Sequence, residues 1–138
     1  MFINKFRFNW KKTILVSFLL VGLSSKTNAE LPTTIIKSCY DGDTCTTIDE
    51  EKIRLACIDT PELKGKRADP FAAKKAKEFL NNFLTNQKVS IRRITKDRYG
   101  RTVAELFNND INVQELIVDK GYGNIYKKYA HQCKWTHN

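Results

Sequence analysis

This sequence predicts a β-rich α+β fold: a small closed or partly closed barrel of five strands, with a helix after the third and a short second helix. Three observations carry that reading. Five short segments rich in β-branched residues are separated by turn signals. Only two segments have a helical period. The 109 residues that follow an N-terminal leader suffice for one domain and no more.

The leader reads as an address. Lys5, Arg7, Lys11 and Lys12 make a positive start, and residues 14–23 are uncharged and apolar. That run falls short of the roughly 20 residues a membrane-spanning helix needs. Thr27-Asn28-Ala29 then ends on a small residue. Residues 1–29 are expected to be a secretory signal peptide, the alternatives being a buried helix or an uncleaved anchor. Residues 30–138 would be the mature domain, exported to the periplasm or the medium, with no stable membrane association after cleavage. The leader holds five of the 24 basic residues and none of the 15 acidic ones, so the mature domain carries a net charge of +4 rather than +9. A modest positive field favours polyanionic partners, although a merely solvated basic surface would read the same way.

The first strand is expected over residues 33–40. Asp41-Gly42 follows as a hairpin signal, and residues 44–48 form the return strand. Asp49-Glu50-Glu51 turns the chain into a third strand over 52–58. There Ile53, Leu55 and Cys57 share the apolar face and Arg54 points the other way. Asp69 as N-cap and Pro70 at the first helical position open a helix. Its stripe of Phe71, Ala72, Ala76, Phe79, Leu80 and Phe83 is expected in the core. Strands four and five fall at 88–94 and 102–107, joined by a turn at Asp97-Arg98-Tyr99-Gly100. The second helix begins near Asn112, with Glu115 as a capping-box partner, and stops at Gly121. No internal repeat or low-complexity linker interrupts this order.

Cys39, Cys45, Cys57 and Cys133 all lie in the mature part. None is spaced as CxxC, which argues against zinc. An even count in an exported chain suggests disulfides. Cys39 and Cys45 sit symmetrically about Gly42 and would face each other across the hairpin, which leaves Cys57–Cys133 by elimination. Cys57 could also be a simple buried thiol.

Chemistry concentrates in two acidic clusters and two arginines. Asp41-Gly42-Asp43 alone is no more than a turn, and it lacks the glycine and glutamate of an EF-hand loop. Asp59-Thr60-Pro61-Glu62 changes that reading. Carboxylates brought together at neighbouring strand ends repel unless a cation lies between them, and calcium accepts such a mixed set of oxygens. Arg54 and Arg101 supply the planar bidentate donors that match a phosphate gathering negative charge. Together these parts suit a metal-assisted phosphodiesterase.

In order along the chain, Asp41-Gly42-Asp43-Thr44, Ile53-Arg54-Leu55, Ile58-Asp59-Thr60-Pro61-Glu62 and Asp97-Arg98-Tyr99-Gly100-Arg101 resemble the staphylococcal nuclease (thermonuclease) family. The resemblance covers nearly the whole mature chain. It implies an OB-fold, a five-stranded Greek-key barrel, with calcium-dependent hydrolysis of DNA and RNA phosphodiesters to 3′-phosphorylated products. It further implies that Asp43 and Asp59 ligate calcium through carboxylates and Thr60 through its carbonyl. Glu62 would be the general base or water-orienting group, and Asp41 would order a metal-bound water. Arg54 and Arg101 would hold the scissile phosphate. Tyr99, Arg98 and Lys64 would contact substrate, and Tyr126 or Tyr129 would stack on a base, unless these two tyrosines merely pack at the barrel edge. Weak base preference, a preference for single strands and a monomeric state are the corresponding expectations.

Two departures from the family pattern stand out. The loop over residues 63–69 is shorter than the prototype's, though Lys64, Lys66 and Arg67 keep it basic. The sequence given stops at Asn138, where the prototype continues into a further helix. Disulfides are an expected substitute in so small a domain. Two other readings compete with the nuclease: a non-catalytic OB-fold module for single-stranded nucleic acid, and a calcium-binding structural domain. The first usually lacks the acidic ligands or the arginines, and the second leaves Arg54 and Arg101 unexplained.

Overall fold

The computed structural model describes residues 29–137. The signal-peptide expectation for residues 1–29 therefore lies, but for Ala29, outside the described residues. In chain order the elements are β1 (Thr33–Cys39), β2 (Thr44–Thr47), β3 (Lys52–Leu55), β4 (Ile58–Asp59), α1 (Pro70–Leu84), β5 (Lys88–Lys96), β6 (Thr102–Asn108), β7 (Ile111–Asn112), α2 (Val113–Asp119) and β8 (Asn124–Ile125). Two 3-10 turns, η1 (Lys127–Gln132) and η2 (Lys134–His137), complete them. Among the described residues, no helix is long and apolar enough to cross a membrane.

Five of the strands close the expected barrel. β1, β2 and β3 pair antiparallel in succession, β1 also pairs with β5, and β5 with β6. β6 then closes onto β3 in parallel, with Ile53 opposite Thr102 and Arg54 opposite Val103. This is the Greek-key order of an OB-fold. The remaining three strands are two-residue additions: β7 extends β6, and β4 pairs with β8 beside the barrel.

Alternation along the strands fills the barrel. Ile36, Ile53, Leu55, Val89, Ile91 and Leu106 point inward and are fully buried, joined by Leu80 and Leu84 of α1 and Val113 and Ile117 of α2. Each such side chain contributes about 1.5–3 kcal/mol. Asp69 caps α1 as expected, its carboxylate accepting from the Ala72 amide at 3.0 Å. The buried face of α1 is Ala73, Ala76, Leu80 and Leu84. Phe79 and Phe83 flank it, whereas Phe71 is 72% exposed and lies under the Lys75 ammonium rather than in the core. Phe71 falls on the face of α1 opposite Ala73, Ala76, Leu80 and Leu84, so it meets solvent even though Ala73 in the same turn is buried.

The third strand is also shorter than expected. It ends at Leu55, and the chain turns through Ala56 and Cys57 before resuming as β4. Cys57 takes a left-handed conformation, φ 65°, so it leaves the alternation and joins a separate small cluster with Ala56 and Cys133. Asn112 caps α2 by accepting from the Gln114 and Glu115 amides. The return bond of a capping box is not formed by Glu115. Instead Gln114, fully buried, pins the helix to β6 by donating to the Ala104 carbonyl and accepting from the Leu106 amide. Both expected disulfides, Cys39–Cys45 and Cys57–Cys133, are present.

Candidate active site

The tip of the β1–β2 hairpin carries the first acidic cluster. Asp41 accepts the Asp43 amide at 3.0 Å, which fixes the turn. Gly42 has no room for a side chain: a Cβ there would lie 2.8 Å from the Ala76 Cβ and 2.9 Å from the Thr60 Oγ1. Its absence lets the hairpin tip touch the second acidic segment. Gly123 does the same from the other side, since a Cβ would meet the Asp59 carbonyl at 3.0 Å and the Thr60 Cγ2 at 2.9 Å. Residues 59–60 are thus held between two glycines.

Asp43 is the hub. It is 8% exposed, accepts from the Thr44 and Thr60 hydroxyls at 3.2 and 3.0 Å, and pairs with the Arg54 guanidinium at 3.1 Å. Burial raises its pKa to about 6; Arg54 opposes the rise, the nearby Asp41 carboxylate adds to it, and the two hydroxyls temper it. One guanidinium therefore does not fully offset the charge that burial penalises here.

Arg54 enters from β3, and Arg101 from the turn just before β6, the strand β3 pairs with. Arg54 donates to the Leu55 and Ile58 carbonyls at 2.6 and 3.0 Å, bracing the turn that ends β3. Arg101 donates from Nε to Asp97 at 2.7 Å and from Nη1 to the Thr44 hydroxyl at 3.3 Å. Asp97 also accepts the Tyr99 and Arg101 amides at 2.9 and 3.0 Å. Burial alone would raise the Asp97 pKa, but those bonds and the Arg101 charge outweigh it and hold the carboxyl below its ordinary value. Since Thr44 donates to Asp43 and receives Arg101, both arginines join one network centred on Asp43.

These groups open into a cleft of about 1070 Å³, lined by Asp41, Asp43, Arg54, Asp59, Thr60, Glu62, Arg98, Tyr99 and Arg101 among others. Asp59 and Glu62 are exposed within it. Tyr99 is 68% exposed, receives a hydrogen bond from Arg98 at 2.6 Å, and lies under both the Arg98 and Arg101 guanidiniums. Tyr126 and Tyr129 line the far wall as an edge-to-face pair with centroids 5.1 Å apart, both half-exposed. Lys64 lies apart from the large cleft, in a smaller groove with Tyr40, Leu63 and the acidic residues.

Sequence reasoning gave no role to Asp97, Thr44 or Gly123. An acid four residues before a candidate phosphate-binding arginine was the available signal for Asp97. Lys128 and Gln132, which also line the cleft, had no local signature.

Among the described residues, no three histidine, cysteine or acidic side chains converge on one point. The donors on offer are two carboxylates, Asp43 and Asp59, and the Thr60 carbonyl. This set is all hard oxygen and includes a buried carboxylate whose charge is incompletely offset. It fits a hard divalent cation that tolerates water and mixed oxygen ligands.

The barrel order and the cleft of acids and arginines define an OB-fold domain with a strongly charged cleft. Residues 52–137 match the family model described as staphylococcal nuclease homologue. The chain is 32% identical to an uncharacterized endonuclease of Haemophilus influenzae over 88% of its own length and 68% of that protein's. It is 35% identical to the thermonuclease of Staphylococcus hyicus, covering 80% of this chain and 70% of the relative. It is 34% identical to endonuclease Htp3 of Saprolegnia parasitica, of which it spans 39%. The chain belongs to the staphylococcal nuclease family.

Proposed function

We propose that this protein is an exported, calcium-dependent nuclease that hydrolyses DNA and RNA phosphodiesters with low sequence specificity, favours single strands, acts as a monomer and leaves 3′-phosphorylated products. The Asp43-centred network carries the reading, because it ties both arginines and the second acidic segment to one cleft. A merely calcium-binding domain would have no use for that link.

Asp43, Asp59 and the Thr60 carbonyl would hold the cation, with Asp41 ordering water beside it. When bound, a calcium ion would supply charge neutralisation and a template for substrate and water. The chain's own groups do the rest. Arg101 is held by Asp97 and Thr44 so that its remaining N–H donors can meet the phosphate. Arg54 commits only part of its five-donor fork to the turn and to Asp43. Donors aimed at charge that develops in the transition state are worth roughly 3–4 kcal/mol each. Glu62, exposed at the cleft, takes the proton from the attacking water, a contribution of about 10²- to 10⁴-fold. The edge-to-face tyrosines and Tyr99 offer π-faces that hold bases without reading them; Arg98 and Lys64 add positive charge along the strand's path.

The test is cleavage of a single-stranded oligonucleotide in calcium and in chelator, with analysis of product ends. Calcium-dependent cleavage leaving 3′-phosphates is expected. Binding without cleavage in calcium would replace this reading with the non-catalytic module.

A further inference from the structure

The Cys57–Cys133 disulfide lies apart from the reacting groups yet joins two parts of the cleft. Cys57 occupies the turn after β3. The carbonyls on either side of that turn, Leu55 and Ile58, receive Arg54, and Asp59 follows two residues on. A left-handed conformation at a non-glycine residue is costly, and here the crosslink helps hold it.

Cys133 anchors the other side. β8 pairs with β4, and the Tyr126 amide donates to the Cys57 carbonyl at 2.8 Å. Beyond that point the chain runs through η1 and η2, neither of which buries a residue. The η1 segment nevertheless supplies Lys128, Tyr129 and Gln132 to the wall of the cleft. Cys133 is fully buried between the two 3-10 turns. Besides the crosslink, the segment is held by Arg92 donating to the Gln132 carbonyl at 2.8 Å, by the Thr136 hydroxyl donating to the Ala130 carbonyl at 2.8 Å, and by the partly buried Trp135. Short 3-10 turns have poor hydrogen-bond geometry and little stability of their own.

We infer that the Cys57–Cys133 disulfide is a positioning element: it fixes residues 127–132 as the wall that grips a polynucleotide beyond the scissile phosphate. It does so without taking part in bond breaking. The inference rests on the nuclease reading of the cleft. It makes the grip on long substrates conditional on oxidation. A dithiol reductant would open the bond by thiolate attack on one sulfur to form a mixed disulfide. Its second thiol would then close a cyclic disulfide, leaving two protein thiols and a reductant oxidised by two electrons.

The test compares the intact protein with C57A/C133A and, since Gly relieves the left-handed conformation, with C57G/C133A; both keep Cys39–Cys45. KM and kcat are measured on a long single-stranded oligonucleotide and on a nitrophenyl phosphodiester of one nucleoside, too short to reach the wall. Oligonucleotide anisotropy and amide exchange over 127–132 are read without catalysis. Loss of about one stacked base should raise the oligonucleotide KM and Kd on the order of 10-fold. In C57G/C133A, where glycine relieves the turn and Arg54 keeps its bonds to the Leu55 and Ile58 carbonyls, kcat on both substrates should stay within about threefold; a larger loss confined to C57A/C133A would report strain in that turn rather than loss of the wall. Exchange over 127–132 should accelerate ahead of the barrel strands. An unchanged oligonucleotide KM and Kd would overturn the inference, as would an equal fall in kcat on both substrates in C57G/C133A. So would failure of both variants to fold at low temperature with a stabilising osmolyte, since the bond would then be holding the barrel. If the intact protein cleaves neither substrate, the nuclease reading fails, and anisotropy and exchange still judge the wall.

Discussion

Replacing Asp97 with alanine should separate the holding of Arg101 from its chemistry. The carboxylate accepts three hydrogen bonds, from the Tyr99 amide, the Arg101 amide and the Arg101 Nε. Bonds to a charged acceptor are worth about 1.5–3 kcal/mol when sheltered, and partial solvent exposure of this pair brings the expected total for all three down to about 2–3 kcal/mol of stability. The catalytic cost is separate. Arg101 would keep its long bond to Thr44 and its place over the Tyr99 ring but lose its close anchor, and misplacing a group by about 1 Å can cost 10²-fold in rate. D97A should thus lower kcat about 100-fold, with D97N in between because it can still accept the backbone amides. The acid limb gives a second handle. The folded pKa of Asp97 is lowered, so its stabilisation is complete above the unfolded carboxyl's value and is lost as pH falls through the lower folded one. D97N should flatten that limb. Single-turnover kinetics on an oligonucleotide and urea unfolding between pH 3 and 7 make the measurement. A D97A protein destabilised as expected yet within about threefold of wild-type kcat would refute the positioning of Arg101 by Asp97.

Other substitutions test the remaining parts. Glu62→Gln should cut kcat by about 10²- to 10⁴-fold and leave the melting temperature in place, because this exposed side chain holds nothing else; near-native turnover would remove Glu62 from its role. Gly123→Ala should cost about 1–3 kcal/mol by overpacking against Thr60 and the Asp59 carbonyl and weaken calcium binding by titration calorimetry; an unchanged affinity would show that segment to be insensitive. Removing the 76-residue link between Cys57 and Cys133 should destabilise by about 4.5 kcal/mol, against about 2.2 for the six-residue link between Cys39 and Cys45, on loop entropy alone. Urea unfolding that reverses this order would assign the stabilisation to something other than loop closure. Calcium at about 100 times its Kd should stabilise the wild type by about 2.7 kcal/mol and Asp43→Asn far less, read as a thermal shift; equal shifts would exclude Asp43 as a ligand.

The barrel was legible because its strands are rich in β-branched residues and its turns carry Asp-Gly and Tyr-Gly signals, even though bulges in β1 and β5 interrupt the alternation. Both helix starts were legible from Asp69 and Asn112. The end of the third strand was not, since Cys57 continues the alternation in sequence and only the left-handed turn, braced by Arg54 and the crosslink, removes it from the sheet. Phe71 misled for a different reason: at helical spacing it lies opposite Ala73, Ala76, Leu80 and Leu84, so it never belonged to the buried face. At the site, residue types announced the acids and arginines. Their coupling did not show, because Thr44 and Asp97 act through geometry across strands that are distant in sequence.

The parallel pairing of β3 with β6 has a kinetic meaning. It places Arg54 opposite Val103, two residues beyond Arg101, and joins segments about fifty positions apart in the chain. Contacts of that separation form late, since loop entropy must be overcome before they contribute. A chain with its hairpins formed but its seam open would hold each acid and each arginine on its own local turn, with no cleft between them. Recovery of cleavage during refolding should therefore track these long-range pairings, β1–β5 and β3–β6, rather than the bulk of the secondary structure. Until this seam and the equally distant β1–β5 pairing are both made, the chain is an unarmed precursor of itself.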